Sequence, residues 1–184
     1  MESQAVGIIL AGGESSRMGE AKALLPFQDG TLLDYMLDLL KEAGCAEVRI
    51  SGEVAGYQGV ADLTEHLGAT GGIATILQKY PEQELFLFVP VDMPALSVSS
   101  LQQLFTPLAD YDARCWGDAP FPLLIKNTAS IRQTITQQIE QQKLAVKNLL
   151  DQLNVERLPN AEHANELQNI NTPEQWEAFK AQQS

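Results

Sequence analysis

One feature narrows the folds open to this chain more than any other. The apolar run at residues 5–11, "AVGIILA", does not alternate between polar and apolar positions. A strand that is apolar on both sides must be covered on both faces, which is the situation of a parallel sheet sandwiched between helices. A second run, "ELFLFVPVDMP" at 84–94, is the most hydrophobic strand of the chain and stops at Asp92-Met93-Pro94. Between and after them, helical stripes alternate with short strands. Residues 31–43 carry Leu32, Leu33, Met36, Leu39 and Leu40 on one stripe, with Thr31 as N-cap and Gly44 as a C′ stop. Strands are expected at 46–51 and 59–62, the latter ending in Asp62. A helix at about 71–80 follows the glycines of "GATGG". A capped helix at "SVSSLQQLFTPL" comes next, then strands in "DYDARCWG" and "FPLLIKN". The remainder reads as a helix at 128–142 with Ile131, Ile135 and Ile139 on one side, a short helix at 143–150, a strand at 153–158 and a last helix. The expectation is an α/β fold with a mainly parallel central sheet and helices on both faces, in a single domain over residues 1–184.

Length and composition fit that reading. The chain has 184 residues, 45% hydrophobic and 20% charged, enough for one full core. No apolar run approaches the ~20 residues of a membrane helix, and "MESQAVGII" lacks the basic start of a signal peptide. The expected location is the cytoplasm, where Cys45 and Cys115 read as buried free thiols. The net charge of −12 argues against nucleic acid and anionic membranes as partners.

Within that acidic background, "GIILAGGESSRMGEAK" at 7–22 puts glycines and two cations, Arg17 and Lys22, just after the first strand. It is neither a Walker A nor a GxGxxG sequence. Its physics is still suited to phosphate: glycines let backbone N–H groups approach an anion, Arg17 offers a fork and Lys22 a mobile point charge. The competing reading is a plain turn with solvated cations. In an open α/β sheet, ligands bind at the carboxyl ends of the strands, and Asp92 falls there too. A carboxylate after an apolar strand is costly unless exposed or paired. It could hold a hard divalent ion that bridges phosphates, or it could be a turn residue before Pro94. Asp62 ends a weaker strand. His66 and His163 have no partners at metal-ligand spacing and are read as structural. Together these residues suggest metal-assisted chemistry on a nucleoside triphosphate.

Three stretches carry a resemblance to a known family. "LAGGESSRMGEAKALLPF" resembles the LAGGxSxRMGxxK signature of the molybdenum cofactor guanylyltransferases. "VPVDMP" resembles that family's strand-end Asp-x-Pro. "NINTPEQW" at 169–176 resembles its Asn-x-Asn-Thr-Pro-Glu motif. The resemblance implies a Rossmann-like nucleotidyltransferase that moves GMP from GTP onto the phosphate of molybdenum-molybdopterin and releases pyrophosphate. It implies that Leu10, Ala11, Gly12 and Gly13 approach the guanine nucleotide, that Arg17 and Lys22 meet its phosphates, and that Asp62 lines the nucleotide pocket with Gly71 and Gly72 nearby. It implies Mg²⁺ on Asp92, the pterin substrate facing Asn169 and Asn171, and other proteins that deliver or receive the cofactor. Arg17, Lys22 and Asp92 would carry the catalysis.

The match has departures. Ala21 stands where the family often has Asp, and Ser51 where it often has Asn, so Ser51 takes that nucleotide position. "KALLPFQDGTLL" also looks like the cytidylyltransferases of the same pathway, which use CTP. Gly12-Gly13 and Asn169-Ile-Asn171 favour guanine over them. Two further alternatives are a related nucleotidyltransferase with another acceptor and a catalytically silent nucleotide-binding protein of the same fold. The last motif has a purely structural side as well: Thr172, Pro173 and Glu174 make a good helix start without any ligand. That does not account for Asn169 and Asn171, unless they are turn residues.

Overall fold

The first strand, β1 (Val6–Leu10), is buried along its whole length and paired on both sides. The computed structural model describes residues 5–12, 22–64 and 66–182. After a 3₁₀ turn (Lys22–Leu24) the chain makes a small hairpin, β2 (Pro26–Phe27) and β3 (Gly30–Thr31), then α1 (Leu32–Glu42), β4 (Glu47–Ser51) and β5 (Gly59–Val60). It continues with α2 (Gly68–Lys79), β6 (Leu85–Pro90), α3 (Val98–Leu104), β7 (Ala113–Trp116) and β8 (Leu123–Lys126). It ends with α4 (Ala129–Glu140), α5 (Val146–Leu150), β9 (Val155–Leu158) and α6 (Pro173–Gln182).

The main sheet has seven strands in the order β5-β4-β1-β6-β8-β7-β9. Pairing is parallel through β5, β4, β1 and β6, and again between β7 and β9. β8 pairs antiparallel with both β6 and β7, so it alone runs against the others. The expected mainly parallel sheet is present, and the two strands expected around a Gly/Pro turn form its antiparallel insertion.

Helices cover both faces, and β1 shows how. A Cβ on Gly7 would lie 2.8 Å from Leu40 of α1, so that face is α1's. Leu10, of opposite parity on the same strand, lies under Gly72 of α2. α1 buries Leu32, Leu33, Met36, Leu39 and Leu40, the stripe read from the sequence, each contributing about 1.5–3 kcal/mol of burial. Thr31 and Asp34 close a capping box at its start, and Gly44 (φ 103°) follows its end. The β6 residues Phe86, Leu87, Phe88 and Val89 have no exposure at all, as a doubly covered strand requires.

Side chains close the remaining gaps. Asn127 donates to the carbonyls of Leu77 (3.2 Å) and Tyr80 (2.9 Å), satisfying the end of α2. The buried Arg114 guanidinium donates to the carbonyls of Leu104, Thr106 and Pro107 and to Glu156, which ties the end of α3 to β9. α6 lays Trp176 and Phe179 on Phe27 of the hairpin. Cys45 and Cys115 are buried free thiols, and burial pushes Cys45 up to about 12. No helix among the described residues is long and apolar enough to cross a membrane.

Near the site, two boundaries differ from the sequence reading and one element is added to it. α2 starts at Gly68, so Gly71 and Gly72 lie inside the helix instead of leading into it. β5 covers only Gly59–Val60, and Asp62 lies two residues beyond it. The hairpin of β2 and β3 is an addition to that reading, because two-residue strands leave no periodicity to read.

Candidate active site

The chain leaves β1 on one side toward β4 and β5, then returns on the other side through β6. The strand order reverses between β1 and β6, and a crevice opens at such a point beyond the carboxyl ends of the strands. The residues singled out after β1 and β6 therefore meet. Val91 donates to the carbonyl of Leu10 at 3.1 Å, holding the two strand ends together.

On the β4 side is a cradle of backbone. The N–H groups of Ala11 and Gly12 both reach the Ser51 carbonyl, at 2.9 and 3.2 Å. Gly52 donates to Val60 at 2.8 Å. Gly52 holds φ 108°, and a Cβ there would lie 2.5 Å from the Gly12 nitrogen, so the close approach of these two loops depends on glycine. Gly72 faces the same space. A Cβ on it would meet Ser51 Oγ at 2.8 Å and Leu10 at 3.1 Å, with Asp62 Oδ1 at 3.8 Å. Leu10, Ser51, Asp62 and Gly72 thus line one space, with Gly12 at its edge. Gly71 points elsewhere: its Cβ would strike Leu67. Asp62 Oδ1 is buried with no hydrogen-bond partner among the described residues, and burial pushes the carboxyl above its ordinary range. An acceptor-only oxygen in that state calls for a donor from a ligand.

On the β6 side is a polar network. Lys22 Nζ sits 3.0 Å from Asp92 Oδ2 and 2.7 Å from Asn171 Oδ1. Asn169 Nδ2 donates to Asp92 Oδ1 at 2.8 Å, and the backbone of Ile170 donates to the Asp92 carbonyl at 2.7 Å. Four residues from three separate motifs converge, across as many as 149 positions of chain. Lys22 and Asp92 are each under a fifth exposed, so the pair is only partly wet. Gly13 and Arg17 lie outside the described residues.

A divalent ion needs hard oxygen donors with lone pairs to spare. No group of three or more His, Cys, Asp or Glu capable of holding a metal occurs among the described residues, so a closed protein cage is absent there. Asp92 and the side-chain oxygens of the Asn pair are hard donors. Asp92 spends one contact per oxygen on Lys22 and Asn169 and keeps lone pairs free on both. One carboxylate completed by water and substrate phosphate suits a Mg²⁺-like ion.

Two features of this region are not singled out by the sequence reading: Gly52, and the pair His163–Glu166, whose ring nitrogen and carboxylate lie 3.0 Å apart. His163 reads as structural from sequence for want of a metal-ligand partner. The available signal is the His-x-x-Glu spacing within one turn.

Comparison with known proteins bears on the family and the fold. The family model described as "MobA-like NTP transferase domain" matches residues 7–158. A molybdenum cofactor guanylyltransferase from Xanthomonas euvesicatoria pv. vesicatoria (strain 85-10) is 36% identical over 173 residues, covering 92% of this chain and 91% of that protein. The crystal structure of molybdopterin-guanine dinucleotide biosynthesis protein A from Archaeoglobus fulgidus shares the fold with a TM-score of 0.77 at 21% identity, covering 96% of this chain and 97% of that one. A Mycobacterium tuberculosis H37Rv protein solved in complex with manganese shares it at 0.62 and 15% identity, covering 97% and 99%.

Proposed function

Since the chain belongs to the MobA-like NTP transferase family, and is on that ground a nucleotidyltransferase, we propose that it transfers GMP from GTP to the phosphate of molybdenum-molybdopterin. The products are a molybdopterin guanine dinucleotide cofactor and pyrophosphate. The observation that carries this reading is the joining of Lys22, Asp92, Asn169 and Asn171 in one network at the reversal of strand order. Those residues gather a cation, a hard anion and two amides where a triphosphate and a second anionic substrate would meet.

In this reading the cradle takes the nucleotide. Leu10, Ala11 and Gly12 follow the base and ribose, with Ser51, Gly72 and Gly71 around them, and Gly13 is assigned to the same nucleotide from its motif. Gly71 supports this only from inside α2, since its own open side faces Leu67. The unpartnered Asp62 oxygen supports guanine over cytosine. Guanine presents its N1–H and amino group side by side, a donor pair that a carboxylate accepts with both oxygens, whereas cytosine offers one amino group on that edge.

Lys22 binds and orients the triphosphate, and Arg17 is assigned to the same phosphates from its motif. A phosphate oxygen of the acceptor, already anionic near neutral pH, attacks the α-phosphorus in line. That P–O bond forms as the bond to the β-phosphate bridging oxygen breaks, and pyrophosphate leaves with the electron pair. No general base is required, because the attacking oxygen already carries its negative charge. A divalent ion, which we take to be Mg²⁺, would be held by Asp92 and would neutralise charge on the α-phosphate and the leaving group. Asn169 and Asn171 orient the acceptor, and Lys22 stabilises the charge that develops on the phosphates. The whole chain, residues 1–184, acts as one domain in the cytoplasm and exchanges its cofactor with proteins that deliver or receive it.

The test offers GTP, CTP, ATP and UTP with Mg²⁺ and molybdopterin and identifies the dinucleotide. GTP is expected to give the product. A product from CTP alone would overturn the choice of base and leave the transfer standing. Asp92→Asn is expected to lose GMP transfer by a factor of about 100 or more, and near-normal transfer with Mg²⁺ would remove Asp92 from the reaction.

A further inference from the structure

Between β9 and α6 the chain crosses the top of the sheet as a strap, residues 159–172, with no regular structure of its own. The two asparagines of the polar network stand on it, exposed on either side of the buried Ile170. Ile170 holds the strap to the Asp92 carbonyl. Together with the bonds of the Asn169 and Asn171 side chains to Asp92 and Lys22, this fixes the strap only at its active-site end, so the part nearer β9 needs an attachment of its own.

Glu166 provides it. One carboxylate oxygen accepts from the backbone N–H of Ser97, the N-cap of α3, at 3.0 Å. The other lies 3.0 Å from His163 Nδ1. The His163 ring packs on Trp116 with centroids 4.5 Å apart, and its Nε2 lies 3.3 Å from Gln103 of α3. The backbone of Glu166 and of Leu167 donates to the His163 carbonyl, closing a turn that presents both side chains to α3. Burial draws the Glu166 carboxyl up, and hydrogen bonds from His163, Ser100 and Ser97 outweigh it, so the group titrates below its ordinary range. α3 starts only a few residues after Asp92, and Leu96 is turned back on Met93 by a backbone bond. The same short segment therefore places Asp92 and receives Glu166.

We propose that Glu166 is a positioning residue for the acceptor: anchored on α3 and on His163, it sets the strap on which Asn169 and Asn171 stand. The inference deepens the reaction proposed above and rests on that reading for the identity of the acceptor. Glu166 touches neither substrate nor the reacting atoms. It acts through Ile170 and the two asparagines.

Two measurements on the full chain test it. The first is amide hydrogen exchange without ligand. Glu166→Ala is expected to speed exchange of the Ile170 amide by about tenfold while the amides of β1 and β6 keep their protection. Glu166→Gln, which still offers an oxygen to Ser97, is expected to recover much of that protection. The second is steady-state kinetics with GTP and molybdopterin. Glu166→Ala is expected to raise KM for molybdopterin by about tenfold and leave KM for GTP unchanged, with the glutamine variant in between.

Unchanged exchange at Ile170 overturns the proposal whatever the kinetics show. Faster exchange with an unchanged KM for molybdopterin overturns the link to the acceptor. A parallel rise in both KM values also overturns it, because a general loosening of the site would then explain the result. If the unmutated protein makes no product from GTP and molybdopterin, the reaction assigned above fails and the acceptor half of this proposal fails with it. The exchange result still decides whether Glu166 holds the strap.

Discussion

Burial takes one oxygen of Asp62 out of water, and the described residues supply no donor in return. The folded chain therefore holds the Asp62 proton more tightly than the unfolded chain does. A carboxyl raised in this way contributes stability that is complete below the unfolded pKa and is lost as pH rises through the folded one. At pH 7 the ionised group is a cost, which Asp62→Asn relieves. The variant is expected to melt above the unmutated protein at pH 7, with the gap closing as pH falls into the ordinary carboxylate range. Its affinity for GTP is expected to fall by about tenfold. Thermal melts at two pH values and a GTP titration check both, and a variant that melts lower at pH 7 would show that Asp62 has a structural partner. Gly52 behaves differently, since its demand is steric. Gly52→Ala puts a Cβ 2.5 Å from the Gly12 nitrogen at φ 108°, and is expected to cost about 1–3 kcal/mol in urea denaturation. Both effects originate in the same cradle, where the backbone approach that makes the space also leaves Asp62 waiting for a donor.

At the scale of elements, the strap depends on the docking of α6. That helix starts at Pro173 behind Thr172, whose hydroxyl accepts from Gln175 at 3.2 Å, while the Gln175 side chain accepts from Asn171 and Thr172. It is held by Trp176 and Phe179, with centroids 5.5 and 5.4 Å from Phe27. Trp176→Ala removes a buried ring from this cluster and is expected to cost about 3–5 kcal/mol, read by denaturant unfolding. These helix starts were legible because capping is local: Thr31, Ser97 and Thr172 each sit where their sequence neighbourhoods put them. β1 and β6 were legible because an apolar run without alternation has one economical fate. The start of α2 was not. Gly71 and Gly72 weaken a helix by propensity, and the packing of Gly72 against Ser51 and Leu10 overrides that. Strand order was out of reach for a related reason. The antiparallel seating of β8 between β6 and β7 is a non-local choice that no window of sequence encodes. The site divides the same way. Lys22 and Asp92 could be picked out by residue type at strand ends, whereas Asn169 and Asn171 reached the reading through their motif, because nothing in spacing says that residue 171 meets residue 22.

The whole molecule sets how these parts combine. A chain of net charge −12 holds its reactive network around a single lysine among the described residues there, so the attraction that seats a polyanion is local and works against the repulsion of the chain as a whole. The sheet also separates the two halves of the site. The cradle with Asp62 lies beyond β5, β4 and β1, and the strap lies over the end of β6. Asp62 Oδ1 has no hydrogen-bond partner among the described residues, so it shares none with the strap. Substitutions that neither touch nor share a partner add in free energy to within about 0.5 kcal/mol. Asp62→Ala is expected to act on the nucleotide and Asn169→Ala on the acceptor. The double variant is then expected to lose kcat/KM by the product of the two single losses, to within about twofold. A double variant no worse than the weaker single variant would mean that both residues act on one event, such as closure of the crevice around the phosphates. Agreement with the product would instead mean that the sheet holds two independent half-sites, which meet only at Lys22 and Asp92.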